Sequence, residues 1–195
     1  MHVHDCIVDV GDDMLCCKSG TDFLGRELDI PTKNVLFERI EVRNGHGLTL
    51  GSEASGGLVN ITYRDIFING RGGPQAPALN TRPGGVGAIV FKTGRGRGGH
   101  WENISWENIY GNNPTSLFGF FAAEGSSYNQ SLGPTNASGT PTIKNLLIKN
   151  VLLTEVRGPA EAFLLAEVRS ALVQPARLDL SPLIFVCRHR SRISR

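Results

Sequence analysis

The sequence predicts an all-β chain that winds into a β-solenoid, and three observations lead to this prediction. A short pattern recurs along the chain, the recurring segments alternate apolar and polar residues, and 24 of the 195 residues are glycine. Alternation is typical of strands, and recurrence over long intervals is typical of stacked coils. Glycine allows the tight turns that such coils need between their strands.

Each copy of the pattern begins with asparagine, continues through an aliphatic residue and ends with Ile or Val. The four copies are "NVLFERI" from Asn34, "NITYRDI" from Asn60, "NISWENI" from Asn103 and "NLLIKNV" from Asn145. The opening "MHVHDCI", which ends at Ile7, fits the later half of the pattern. Asparagine tolerates left-handed backbone and hydrogen-bonds locally, so we expect each copy to open at a turn.

The intervals between copies are uneven, which indicates insertions. The Gly- and Pro-rich segment 73–85 is one inserted loop, and 111–141 is another, with an apolar centre "LFGFFAA" that we expect to pack down. Residues 1–166 form the predicted solenoid domain. Residues 167–195 lack the pattern and are predicted to be a poorly packed tail, with a terminal cap on the solenoid as the alternative.

Composition narrows the possible functions. A net charge of +2 gives no reason to expect nucleic acid or a membrane surface as partner. We expect a monomer with no cofactor. The four cysteines match no zinc pattern, so we expect no metal either. Both buried thiols and a Cys6–Cys16 disulfide remain open.

Candidate functional residues follow the strands of successive coils. Asp12 and Asp13 lie in "VGDDMLCCKSG", His46 in "RNGHGLTLGS" and Lys92 in "VGAIVFKTGRGRGG". Stacking would bring them to one side of the solenoid, a few strand spacings of about 4.8 Å apart. Gly11 would permit a turn or a bulge, and a bulge could turn both carboxylates to one groove. Repulsion between them should raise one pKa, so that one acts as acid and the other as base.

Each of these residues also has a structural explanation. "GDD" is typical of a solvated turn, a loop histidine is commonly exposed, and a strand lysine commonly extends to water. Arg95 and Arg97 in "GRGRGG" either bind an acidic group or keep a loop soluble. The common order and register of the acids, the histidine and the lysine favour a site.

The series "VGDDMLCCKSG", "GHGLTLGSEASGGLVNI" and "IVFKTGRGRGG" resembles the polygalacturonase-type glycoside hydrolases of family 28, over about residues 1–166. That family has G-D-D, G-H-G and R-I-K elements in this order. The resemblance implies a right-handed parallel β-helix with long inserted loops. It also implies an extracellular or cell-wall hydrolase that cuts pectin, an acidic polysaccharide, with inversion.

The resemblance assigns a role to each matching residue. Asp12 matches the proton donor, Asp13 an acid that activates the attacking water, and His46 the histidine near the cleavage point. Lys92 matches the lysine that binds the substrate carboxylate, and a cation suits an acidic sugar. We add Arg95 and Arg97 as candidate substrate-binding residues.

Three departures from the family pattern change the expected activity. The N-T-D element, which carries a further catalytic Asp, is not found before G-D-D; Val90 replaces the arginine of R-I-K; and Met14 replaces a disulfide-forming cysteine. We therefore expect an N-terminally truncated copy with weak or no hydrolase activity. A non-catalytic polysaccharide-binding solenoid is the alternative. A lyase is a third reading, but that chemistry commonly uses calcium and the chain has no further acidic cluster to hold it.

Overall fold

The computed structural model describes residues 1–69, 87–94, 96–112, 116–122, 139–154 and 178–186. These residues form strands and one short helix. The strands are β1 His2–Asp9, β2 Met14–Cys17, β3 Thr32–Asn44, β4 Leu48–Gly51, β5 Leu58–Asn69, β6 Gly87–Thr93, β7 His100–Asn112, β8 Ser116–Ala122, β9 Thr142–Thr154 and β10 Leu178–Val186; the helix is α1 Asp22–Leu28.

The strands form two parallel sheets in which each neighbour comes from the next coil. Sheet A has the order β1-β3-β5-β7-β9-β10, and sheet B has the order β2-β4-β6-β8. From β1 to β9 the chain alternates between the sheets, adding one strand to each per turn, and β10 adds a further strand to sheet A. This arrangement is a parallel β-helix, and it confirms the predicted all-β solenoid.

The four asparagines that open the repeat form one hydrogen-bonded ladder across the coils. All have positive φ: 57° at Asn34, 56° at Asn60, 55° at Asn103 and 52° at Asn145. The side-chain amides of the last three donate to the asparagine of the preceding coil, at 3.0, 3.1 and 2.9 Å in turn. The residues lie inside the long strands of sheet A, so they mark a bend within a strand where a turn was expected.

A second column of left-handed residues lies five positions further along each strand. Asn108 donates to Asp65 at 2.7 Å, and Asn150 donates to Asn108 at 3.0 Å. In the first two coils an ion pair takes the place of these bonds, since Arg39 binds both carboxylate oxygens of Asp5 at 2.8 Å. The two columns bend β3, β5, β7 and β9 at the same two places.

Between these columns, aromatic side chains stack inside the solenoid. The rings of Phe37 and Tyr63 lie 4.9 Å apart, and those of Tyr63 and Trp106 lie 5.6 Å apart at an interplanar angle of 2°. Phe91 packs on Trp106 from sheet B at 4.9 Å. Such stacking joins successive coils and both sheets into one core.

The first coil differs from the predicted register by one residue. Cys6 pairs with Ile40, whereas the repeat placed Ile7 there. Ile7 instead pairs with Glu41 and is 58% exposed. A shift of one residue moves a side chain to the other face of a sheet, which explains the exposure.

Two further elements were not predicted. Helix α1 buries Asp22 and Gly25 and leaves Phe23, Leu24 and Leu28 exposed, so its apolar residues do not mark the face that packs. The apolar centre of segment 111–141 forms β8, a regular strand of sheet B.

Strand β10 lies in the segment that the sequence predicts to be a tail, and it pairs in parallel with β9. Ser181 pairs with Lys149 and Leu183 with Val151, so Pro182 stands opposite Asn150. Proline is fixed at negative φ and cannot continue the column of left-handed residues. The boundary at 166/167 and the loop 73–85 lie outside the described residues.

Three thiols, those of Cys6, Cys16 and Cys17, are free, so the structure contains no Cys6–Cys16 disulfide; Cys187 lies outside the described residues. Where the chain is described, it has no helix of sufficient length and apolarity to cross a bilayer.

Candidate active site

Four of the predicted site residues converge from three successive coils. Asp12 and Asp13 lie in the bend between β1 and β2, and His46 lies in the matching bend between β3 and β4. Lys92 comes from β6, where it pairs with Gly51 of β4. The acids and His46 thus lie just before the strands of sheet B begin, and Lys92 reaches Asp13 from near the end of β6.

The side chains are in direct contact. Nδ1 of His46 lies 3.1 Å from Oδ1 of Asp12 and 3.7 Å from Oδ1 of Asp13. The ammonium of Lys92 donates to Oδ1 of Asp13. One oxygen from each carboxylate and a ring nitrogen of His46 all lie within 4.8 Å of one another. Because Lys92 neutralises Asp13, the cluster favours proton chemistry over binding of a metal cation.

Glycine on either side of His46 permits this close approach. Gly45 has a φ of 137°, and a Cβ added there would lie 2.7 Å from the carbonyl oxygen of Asp12. The N–H of His46 donates to that same carbonyl at 2.9 Å. The imidazole is therefore held directly against the acid pair by backbone geometry.

The turn or bulge expected at Gly11 takes the form of a bend at Gly11 and Asp12. Gly11 is not among the residues with positive φ, and a Cβ added there would meet nothing within 4 Å. The pairing irregularities flank it, between Val8 and Asp9 and between Met14 and Cys17. The whole bend, rather than one glycine, turns both carboxylates to the same side.

The two acids differ in environment. The side chain of Asp12 is 84% exposed and that of Asp13 only 12%. The N–H of Asp13 donates to Oδ1 of Asp12 at 2.7 Å, and this bond, followed by the charges of His46 and Lys92, lowers the pKa of Asp12. For Asp12, this direction is opposite to the rise expected for one member of a repelling pair.

Arg97 does not reach the groove, contrary to the sequence prediction. It is 4% exposed, and its guanidinium lies 3.4 Å from the buried carboxylate of Asp22. Arg26 of α1 donates to the carbonyl oxygen of Arg97 at 3.3 Å. Arg97 thus joins the helix to the solenoid. Arg95 lies outside the described residues.

Two residues beside the cluster supply neither a charge nor a nucleophile. Val90, where the resemblance calls for arginine, is fully buried and supplies no charge. Burial and then the charge of Asp13 raise the pKa of Cys16 to about 12, and its thiol donates to the carbonyl of Gly51 at 3.2 Å. Cys16 therefore stays protonated and is not a nucleophile.

Sequence reasoning missed one ion pair near the cluster. Nζ of Lys18 lies 2.5 Å from Oε2 of Glu53, and the side chains are 48% and 29% exposed. A signal was present: "KSG" at 18–20 and "KTG" at 92–94 place lysine before a small polar residue and glycine. The two lysines hold matching positions in the first and third coils.

Fold and site together define a class of protein: a parallel β-helix in which two acids, an imidazole and an ammonium meet beside one sheet. No protein-family model matches the chain. It is 34% identical over 104 residues to a probable polygalacturonase of Vitis vinifera, covering 52% of this chain and 18% of that protein. It is 31% identical over 123 residues to a polygalacturonase of Ralstonia nicotianae, covering 61% of this chain and 19% of that one.

A solved structure gives the same result. The chain superposes on a hyperthermoactive exopolygalacturonase from Thermotoga maritima with a TM-score of 0.61 at 25% identity, over 80% of this chain and 31% of that one. The chain is thus similar to polygalacturonases over part of their length, and its fold is a right-handed parallel β-helix. It spans about a fifth of the length of the curated relatives that it matches.

Proposed function

We propose that the protein to which this chain belongs is an extracellular or cell-wall glycoside hydrolase that cuts pectic, acidic polysaccharide with inversion. The observation that carries the proposal is the contact among Asp12, Asp13, His46 and Lys92 across three coils. The relation to polygalacturonases supports the same conclusion.

In the proposed reaction, Asp12 protonates the glycosidic oxygen as the bond from that oxygen to the anomeric carbon breaks. Water attacks the anomeric carbon from the opposite face, and a carboxylate accepts its proton. Asp12 suits the first role because it is the exposed member of the pair. Asp13 suits the second because it is the less exposed member and accepts a hydrogen bond from Lys92.

We further propose that the 195-residue chain hydrolyses pectin weakly or not at all. Inverting enzymes hold acid and base about 6.5–9.5 Å apart so that water fits between them. Here oxygens of Asp12 and Asp13 lie within 4.8 Å of each other. This separation favours a further carboxylate as the main base, with Asp13 in support.

The same separation favours the second candidate, a solenoid that binds polysaccharide without cutting it. Lys92 and His46 would still attract an acidic sugar, since both lie at the groove and are about a quarter exposed. Binding without release of reducing ends would distinguish this function from slow hydrolysis.

The test is release of reducing ends from unesterified polygalacturonate by the purified chain. We expect slow release that Asp12→Asn abolishes and that Asp9→Asn, at an exposed acid ending β1, leaves unchanged. No release together with measurable binding would favour the second candidate. Release and binding both absent would overturn the proposal.

A further inference from the structure

Lys18 occupies in the first coil the position that Lys92 occupies in the third. Cys17 pairs with Leu50, and Lys18 follows Cys17. Lys92 pairs with Gly51, which follows Leu50. Strands lie about 4.8 Å apart, so two spacings separate the backbones of the two lysines by about 10 Å. Gly51 contributes no side chain to the space between them.

Glu53 fixes the direction of the Lys18 side chain. Its Oε2 accepts from the ammonium at 2.5 Å, while Oε1 accepts from the hydroxyl of Ser52 at 3.1 Å. An ammonium has three N–H donors, and Glu53 accepts one of them. Because Lys18 is 48% exposed, an incoming carboxylate has room to approach.

Electrostatics connect Lys18 with the acid cluster. Partial burial opposes its charge, but the hydrogen bond and charge of Glu53 outweigh burial and raise the pKa of the ammonium. The charges of Cys16, were its thiol ionised, and of Asp13 act in the same direction. Lys18 thus remains charged within electrostatic reach of Asp13.

We propose that Lys18 is a second carboxylate-binding residue of the groove, so that the chain binds an acidic oligosaccharide through two of its carboxylates. Lys92 attracts one carboxylate near the acid pair, and Lys18, whose backbone lies two coils from that of Lys92, binds another. Glu53 positions Lys18 and competes with the sugar for it. This inference rests on the proposed function, since it assumes that an acidic saccharide occupies the groove.

The test is calorimetric titration of the full chain with an unesterified oligogalacturonate and with its fully methyl-esterified counterpart. Lys18→Met should weaken binding of the acidic oligomer about tenfold, as expected for a lost charged hydrogen bond. The same substitution should not change binding of the ester. Lys144→Met, at an exposed lysine of β9 in sheet A, is the matched control and should bind like the parent chain.

Glu53→Gln separates binding from structural support. It keeps an acceptor for Lys18 but removes the competing charge, so affinity for the acidic oligomer should rise about twofold. A purely structural pair would instead give lower stability and no gain in affinity, and this result would overturn the inference even if Lys18→Met unfolds the chain.

Failure of the inference is distinguishable from failure of the proposed function. If the parent chain prefers the acidic oligomer and Lys92→Met weakens binding while Lys18→Met does not, only the role of Lys18 is wrong. If the parent chain does not distinguish acid from ester, the proposed acidic substrate is wrong and the role of Lys18 is rejected with it.

Discussion

Nδ1 of His46 lies 3.1 Å from Oδ1 of Asp12, although the two residues are 34 positions apart in the sequence. One turn of the solenoid separates them, so stacking turns a long interval into a direct contact. The contact also means that the charge of the imidazole acts on the acid assigned as proton donor. The first prediction follows from this relationship.

Replacing His46 should move the titration of Asp12. Its pKa is lowered chiefly by the N–H of Asp13 and also by the charge of His46. His46→Asn removes that charge, so the pKa of Asp12 should rise and its acid form should persist to higher pH. Carboxyl ¹³C NMR titration measures this, with His100→Asn as control. An unchanged Asp12 titration in His46→Asn would contradict the prediction.

The lowered pKa also sets the sign of the pH dependence of hydrolysis. A proton donor works only when protonated, and the protonated fraction of Asp12 grows as pH falls toward its lowered pKa. Release of reducing ends should therefore increase from neutral to acidic pH. A rate that is highest at neutral pH would exclude Asp12 as the donor.

Arg97 should matter for stability rather than for substrate. Removing one partner of a buried ion pair leaves the other charge uncompensated, which costs about 3–5 kcal/mol. Arg97→Met should therefore lower the free energy of unfolding by about 3 kcal/mol, measured in urea, without weakening oligogalacturonate binding by the folded fraction. Arg43→Met, at an exposed arginine, should change stability by about 0.5 kcal/mol or less. Weaker binding by stably folded Arg97→Met would restore its predicted role in the groove.

The asparagine ladder should be sensitive at its centre. Asn103 donates to Asn60 and accepts from Asn145, at a φ of 55°. Asn103→Ala loses both bonds and strains the left-handed backbone, at a cost of about 2–3 kcal/mol in unfolding free energy. Asn103→Gly loses the bonds without the strain and should be about 1 kcal/mol milder. Equal effects of the two substitutions would indicate that the backbone conformation is not the cause.

Glu38 should make the fold sensitive to acid. Hydrogen bonds from Arg64 and then Arg39 hold its pKa at about 2, against an ordinary value of 4.5. The unfolded chain binds the proton first as pH falls, so stability should decline between about pH 4.5 and 2. As pH falls from about 4.5 to 2, the urea midpoint should decrease less in Glu38→Gln than in the control Glu27→Gln, which changes an exposed glutamate. Parallel slopes in both variants would contradict the assignment.

The sequence predicted the features that depend on local pattern. Alternating residues predicted the strands, and the common order of Asp12, His46 and Lys92 predicted their convergence. Features that depend on tertiary packing were missed. Helix α1 packs through Asp22 and Gly25 rather than through its apolar residues, and Arg97 in a glycine-rich segment resembles a solvated residue until Asp22 is seen beside it. The register of β1 was missed because Cys6 and Ile7 are both apolar.

The asparagine ladder joins coils of unequal length, since its bonds bridge 26, 43 and 42 residues. Extra chain can therefore be accommodated between rungs without altering the distance from one rung to the next. Evolution can lengthen or replace these connections while the side chains of successive coils keep their spacing.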